Sequence, residues 1–181
     1  MSIATKIVRG TLGAVLAGAA MLGAAVVTAA PAQAATYFKL VGLGSNKCLD
    51  MKAEDGGRNG SRVQTWQCYG SSNQRWTLYP VGKTSTGATY FQIISQAPGH
   101  LCMEVRSSSV SNGAQVDMVG CSQDGNQFWR WGSGGIGYSL PLISLNSGKC
   151  LDVSGNSTAN GAKVQQWDCN GTAAQYFKTV Q

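Results

Sequence analysis

Apolar and polar residues alternate over short stretches of this chain, as in Leu49-Asp50-Met51, Met103-Glu104-Val105 and Leu151-Asp152-Val153, and extended runs such as Tyr90-Phe91-Gln92-Ile93-Ile94 and Leu140-Pro141-Leu142-Ile143-Ser144-Leu145 lie between them. A period of two puts alternate side chains on opposite faces of a strand, whereas a helix face needs spacings of three and four. The stretches are rich in Val, Trp, Phe and Tyr and are separated by clusters of Gly, Asn and Ser. This is strand-and-turn chemistry, and it predicts an all-β fold built from many short strands.

The pattern also repeats. Lys47-Cys48-Leu49-Asp50-Met51, Asn59-Gly60, Val63 to Cys68 and Asn73-Gln74-Arg75-Trp76 form a first copy. Leu101-Cys102-Met103-Glu104-Val105, Asn112-Gly113, Val116 to Cys121 and Asn126-Gln127-Phe128-Trp129 form a second. Lys149-Cys150-Leu151-Asp152-Val153, Asn160-Gly161, Val164 to Cys169 and Ala174-Gln175-Tyr176-Phe177 form a third. Three copies define three pseudo-symmetric repeats, at about 37–89, 90–137 and 138–181. The Asn-Gly pairs suit turns that need a positive φ. Trp76, Trp129 and Phe177 close the copies and are expected in the core, with Trp131 left without a role. The first copy is the longest, and Gly82 to Ala88 is its expected loop insertion.

The leader and the cysteines fix the setting. Lys6 and Arg9 precede the uncharged, small and apolar stretch Leu12 to Val27, and Ala32-Gln33-Ala34 matches a small-x-small cleavage pattern. Residues 1–34 therefore read as a secretory signal peptide, leaving 35–181 as one secreted, extracellular domain with no membrane span. Six cysteines allow 15 pairings, but the repeat selects Cys48-Cys68, Cys102-Cys121 and Cys150-Cys169, one disulfide in each copy. A lone His100 and the lack of Cys-x-x-Cys argue against a metal centre, and no cofactor motif is present. The 14 basic residues stand singly rather than in a run, so nucleic acid is not an expected partner.

Cys-Leu-Asp at 48–50 and 150–152, Gln-x-Trp at 64–66, 74–76 and 165–167, and Asn-Gln near the ends of copies give the whole mature chain a resemblance to the ricin B-type lectins. The resemblance implies a β-trefoil, a six-stranded barrel capped by three hairpins, with one shallow sugar pocket available per copy. It implies a non-catalytic carbohydrate-binding protein for a polysaccharide or glycan containing sugars such as galactose or xylose. In the first copy Asp50 would anchor hydroxyls, Trp66 would stack on the ring, and Gln64, Asn73 and Gln74 would complete the pocket. Asp152, Gln165, Trp167 and Gln175 are the matching set in the third.

The copies differ. The second has Glu104 for Asp, Asp117 for Gln and Val119 for Trp, which removes the platform and brings in a second carboxylate; it is expected to be inactive. The third has Ala174 in place of Asn and is expected to bind more weakly than the first. Two other classes remain open: a β-trefoil that meets a protein, such as a protease inhibitor, through Gly82 to Ala88 or Ser107 to Ser111, and a glycoside hydrolase using Glu104 and Asp117. Oligomeric state is not readable from the sequence.

Overall fold

The computed structural model describes residues 36–181, and the leader read at 1–34 lies outside the described residues. Twelve strands follow in order: β1 (Lys39–Gly42), β2 (Cys48–Met51), β3 (Ser61–Trp66), β4 (Trp76–Lys83), β5 (Thr89–Ser95), β6 (Cys102–Val105), β7 (Val116–Val119), β8 (Trp129–Trp131), β9 (Leu140–Ser144), β10 (Cys150–Val153), β11 (Ala162–Trp167) and β12 (Tyr176–Val180). The helical pieces among the described residues are single 3-10 turns, and none is long and apolar enough to cross a membrane.

Antiparallel pairing links β1 to β12, β12 to β9, β9 to β8, β8 to β5 and β5 to β4. A bridge between Phe38 and Trp76 joins the last strand to the first, so six strands close into a barrel. The remaining six form the hairpins β2–β3, β6–β7 and β10–β11. These hairpins pair with one another through Arg62 with Asp117, Lys163 with Gln64, and Gln115 with Gln165, which are equivalent positions of the three repeats. This is the β-trefoil that the resemblance implies, and closure leaves the barrel strands no free edges.

The core is threefold as well. Trp76, Trp129 and Phe177 are fully buried at matching places, packed with Leu49, Met103 and Leu151. The two indoles donate to the carbonyls of Leu49 and Met103 at 3.2 and 3.0 Å, so their polar edges are satisfied inside the barrel. Cys48–Cys68, Cys102–Cys121 and Cys150–Cys169 are all bonded, as the repeat selected. On the pseudo-threefold axis the carbonyls of Val63, Val116 and Val164 lie 3.3, 2.9 and 3.1 Å from the Nε2 of Gln115, whose two hydrogens they share.

The Asn-Gly turns do more than reverse the chain. Gly60, Gly113 and Gly161 have φ of 86°, 80° and 79°, as the sequence requires. Each turn also clasps the next hairpin: Asn59 Oδ1 accepts from the Gly120 amide, Asn112 Oδ1 from that of Asp168, and Asn160 Oδ1 from that of Gln67, at 2.8, 3.0 and 2.9 Å. The following glycine amides donate to Met118, Gln166 and Thr65 at 2.9, 2.9 and 2.8 Å.

The insertion expected at Gly82 to Ala88 is shorter than the sequence implied. Gly82 and Lys83 pair with Tyr90 and Thr89 as part of β4, beyond a register shift after Pro80. Proline lacks the ladder N–H, which places the irregularity there. His100 lies exposed in a turn, with φ of 45°.

Candidate functional site

In each repeat the acidic residue sits on the first hairpin strand directly across from the Gln position of the second. Asp50 is opposite Gln64, Glu104 opposite Asp117, and Asp152 opposite Gln165. Strand register alone therefore assembles the acid–amide pair, and the disulfide one step away pins its end.

In the first repeat the carboxylate is enclosed. Asp50 is 1% exposed. Its Oδ1 accepts from Gln64 Nε2 at 3.0 Å, and its Oδ2 from Asn73 Nδ2, Gln74 Nε2 and the Tyr69 hydroxyl at 2.8, 3.0 and 3.3 Å. Burial pushes the Asp50 carboxyl above its ordinary value, and the bonds from Gln64, Gln74 and Tyr69 oppose that rise.

The third repeat holds the same acid more openly. Asp152 Oδ1 accepts from Gln165 at 3.0 Å and Oδ2 from Gln175 at 3.1 Å. A cleft of about 450 Å³ lies over it, lined by Asp152, Ser154, Asn156, Gln165, Trp167 and Asn170 among others. Three rim positions explain the difference. Where the first repeat carries Lys52, Tyr69 and Asn73, the third carries the smaller Ser154, Asn170 and Ala174, all of which line the cleft. The Ala174 exchange, expected to weaken this copy, is thus also one of the three that open it.

In the second repeat a guanidinium pairs with one of the two acids. Arg106 reaches back over the hairpin and grips Asp117 through Nε and an Nη, at 2.5 and 3.1 Å. Glu104 accepts from Asn126 at 3.0 Å and from Gln127 at 3.4 Å. Burial raises the Asp117 carboxyl while Arg106 draws it down. Two facing carboxylates were expected here; the residue that neutralises one of them, Arg106, was not.

Gln74 and Gln175 do not line the surface. Both are buried, and each braces its carboxylate from behind with an Nε2 that also donates to Gln67 or Asp168 carbonyl oxygen, at 3.0 and 2.9 Å. Their Oε1 atoms accept from the backbone amides of Tyr69 and Asn170 at 3.0 and 2.9 Å. Gln127 does the same in the second repeat. These amides position the acid.

Trp66 is half-buried and Trp167 is 39% exposed. Each leans on the Asn-Gly turn of another repeat: a Cβ added to Gly161 would lie 3.7 Å from Trp66, and one added to Gly113 would lie 3.7 Å from Trp167. With Val119 at the corresponding place, Gly60 has no such neighbour. Each indole therefore sits at a junction of two repeats. Asn156 is a further rim residue that the motifs did not point to. It has φ of 51°, and its amide lies against Gly44 of the first repeat so closely that a Cβ there would fall 1.9 Å from its Oδ1. Comparing the three copies at the residues just after each acid and each second cysteine is the signal that finds the rim.

The ricin-type β-trefoil lectin domain model matches residues 36–177. The chain belongs to this family. The lectin domain is 31% identical to ThreeFoil, a designed threefold-symmetric protein, with a TM-score of 0.73 over 80% of this chain and 98% of that one. It is 28% identical to part of 1,3Gal43A, an exo-β-1,3-galactanase from Clostridium thermocellum, with a TM-score of 0.72 over 80% of this chain and 30% of the galactanase. A stretch of 37 residues, 20% of the chain, is 46% identical to Serine protease 1 of Rarobacter faecitabidus, and spans 7% of that protease.

Proposed function

We propose that this protein is a secreted, non-catalytic lectin whose third repeat holds a sugar in the Asp152 cleft, with the first repeat as a second site behind the Tyr69 hydroxyl. The observation that carries the reading is Asp152 itself: each carboxylate oxygen takes one amide donor and faces a cleft beside an exposed indole. A carboxylate has about four acceptor positions, so two sugar hydroxyls find partners there. Charge-assisted bonds of about 1.5–3 kcal/mol each, with C–H stacking on Trp167, support dissociation constants in the millimolar to micromolar range. Occupation of two such sites on one polymer raises the apparent affinity.

Secretion rests on the 1–34 leader and on three disulfides, which belong to oxidising compartments. The non-catalytic reading rests on the second repeat, where a hydrolase would need two free carboxyls; Asp117 is held in the Arg106 fork and Glu104 by two amides. The galactanase likeness makes galactan the first polymer to try. In affinity electrophoresis through galactan, xylan and other neutral polysaccharide gels, the wild type is retarded in at least one, and Asp152→Ala and Trp167→Ala each remove most of the retardation. Unchanged migration of wild type in every gel, or equal retardation of both variants, defeats the reading.

A further inference from the structure

Charge is divided between the two parts of this fold. The six barrel strands carry Lys39, Lys83, Arg130 and Lys178 and no acidic residue. All eight carboxylate side chains of the chain lie in or beside the hairpins. Against the barrel lie two clefts, of about 320 and 300 Å³, that share Phe38 as a wall and so lie side by side. Trp131, Tyr138 and Lys178 line the first; Lys39 and Arg75 line the second. No acidic side chain lines either, and neither shares a residue with the Asp152 cleft.

The groups here are free to act. Tyr138 is 98% exposed, and the Trp131 indole is half-buried and held by Phe91 at 6.1 Å between ring centroids. Arg75 is set 5.7 Å from the Tyr37 ring. Lys39, Arg75 and Lys178 enter none of the ion pairs of the described residues, which use Arg62, Arg106 and Lys149. Lys39 and Lys178 lie on paired strands two residues out of register, Lys178 facing Val41 and Lys39 facing Val180.

We propose that this double cleft is a second glycan-binding surface, and that its ligand is an acidic polysaccharide of the polyuronate kind. Trp131 and Tyr138 offer faces to the C–H side of pyranose rings, and the unpaired cations meet carboxylates along the chain. The surface is concave, whereas membrane docking uses a protruding apolar face. Three cations are fewer than the phosphate contacts of a nucleic-acid footprint. Specificity for acidic over neutral chains follows from three cations outside the ion pairs of the described residues, in a lining without acidic side chains.

The test is affinity electrophoresis of the whole protein through gels holding polygalacturonate or dextran, at low and at high salt. Wild type is retarded by polygalacturonate only, and high salt abolishes the effect. Lys39→Gln/Lys178→Gln weakens retention about tenfold, the size of two exposed ion pairs, and Tyr138→Ala weakens it at any salt. Asp152→Ala leaves it intact, which separates this surface from the neutral-sugar site. Lack of retardation by polygalacturonate, retention unchanged in the lysine and Tyr138 variants, or loss in Asp152→Ala overturns the proposal. So does equal or stronger binding to oligothymidylate or to sedimented phosphatidylglycerol vesicles, either of which makes nucleic acid or membrane the occupant.

Discussion

The Tyr69 hydroxyl donates to Asp50 Oδ2 at 3.3 Å, and this contact separates the first repeat from the third, where Asn170 stands in the same place and the cleft is open. A sugar hydroxyl competing for that oxygen has first to part the two groups. In an Asp152→Ala background, which silences the third site, Tyr69→Asn is expected to strengthen glycan retardation by several-fold, the worth of about 1 kcal/mol. Gel mobility checks it directly, with Tyr69→Phe as the variant that keeps the ring and loses only the bond.

Gly44 is expected to govern the third site from the first repeat. A methyl group there collides with the Asn156 amide and with the backbone at Ala173, 3.2 Å away. Gly44→Ala should cost about 1–3 kcal/mol of stability and reduce retardation by the third site, whereas Gly60→Ala, which meets no neighbour but strains its own turn at a φ of 86°, lowers stability and leaves third-site binding unchanged. Urea unfolding and affinity electrophoresis on the same preparations read both effects.

The Asn-Gly clasps predict a stability series. Asn59→Ala and Asn160→Ala each remove one bond to a neighbouring repeat, and each is expected to cost about 1 kcal/mol, roughly 3 °C in thermal midpoint. Asn112→Ala should cost more, because Asn112 both accepts from the Asp168 amide and donates to its carboxylate at 2.7 Å. Calorimetry of the three variants gives the order.

Two aspartates should titrate in opposite directions. The Arg62 guanidinium holds Asp55 well below its ordinary value, so the contribution of this pair is present above the unfolded aspartate range and is lost as pH falls through and below it. The stability gap between wild type and Asp55→Asn therefore narrows on acidification. Asp50 is raised by burial, so its contribution is present below the unfolded value and is lost as pH rises through the folded one. Carboxyl carbon shifts, followed by NMR, should give a midpoint below the ordinary value for Asp55 and above it for Asp50.

The disulfides close loops with sequence separations of 20, 19 and 19. Replacing both members of one pair by Ala should cost about 3 kcal/mol, and a second pair removed as well should leave little folded protein at 37 °C. Denaturant midpoints of Cys150→Ala/Cys169→Ala, and of the same variant lacking Cys48 and Cys68, measure the steps.

Features set by local period or by repeat spacing were legible in the sequence: the strands at Tyr90 to Ile94 and Leu140 to Ser144, the pairing of Cys48 with Cys68, the burial of Trp76, Trp129 and Phe177. Strand register then brought Asp50 to Gln64 and Asp152 to Gln165 without further information. What the sequence concealed lies in side-chain reach between strands. Arg106 and Asp117 are eleven positions apart, and only the folded hairpin shows the guanidinium turned back over the acid. Asn112 and Asp168 belong to different repeats, and nothing in an Asn-Gly pair read alone names its partner 56 residues away.

Gln115 imposes a limit on the symmetry itself. Three equivalent carbonyls, from Val63, Val116 and Val164, converge on a single amide nitrogen. Only one copy can supply that nitrogen, since the seat lies on the axis and the same residue placed in all three copies would crowd one point. Arg62 and Lys163, at the other two equivalent positions, turn outward to Asp55 and the Gly113 carbonyl instead. A gene that simply tripled any one of these units would therefore close the axis differently, with the seat left empty or shared by three copies of one side chain, so the single amide at this centre is a product of the divergence between the repeats.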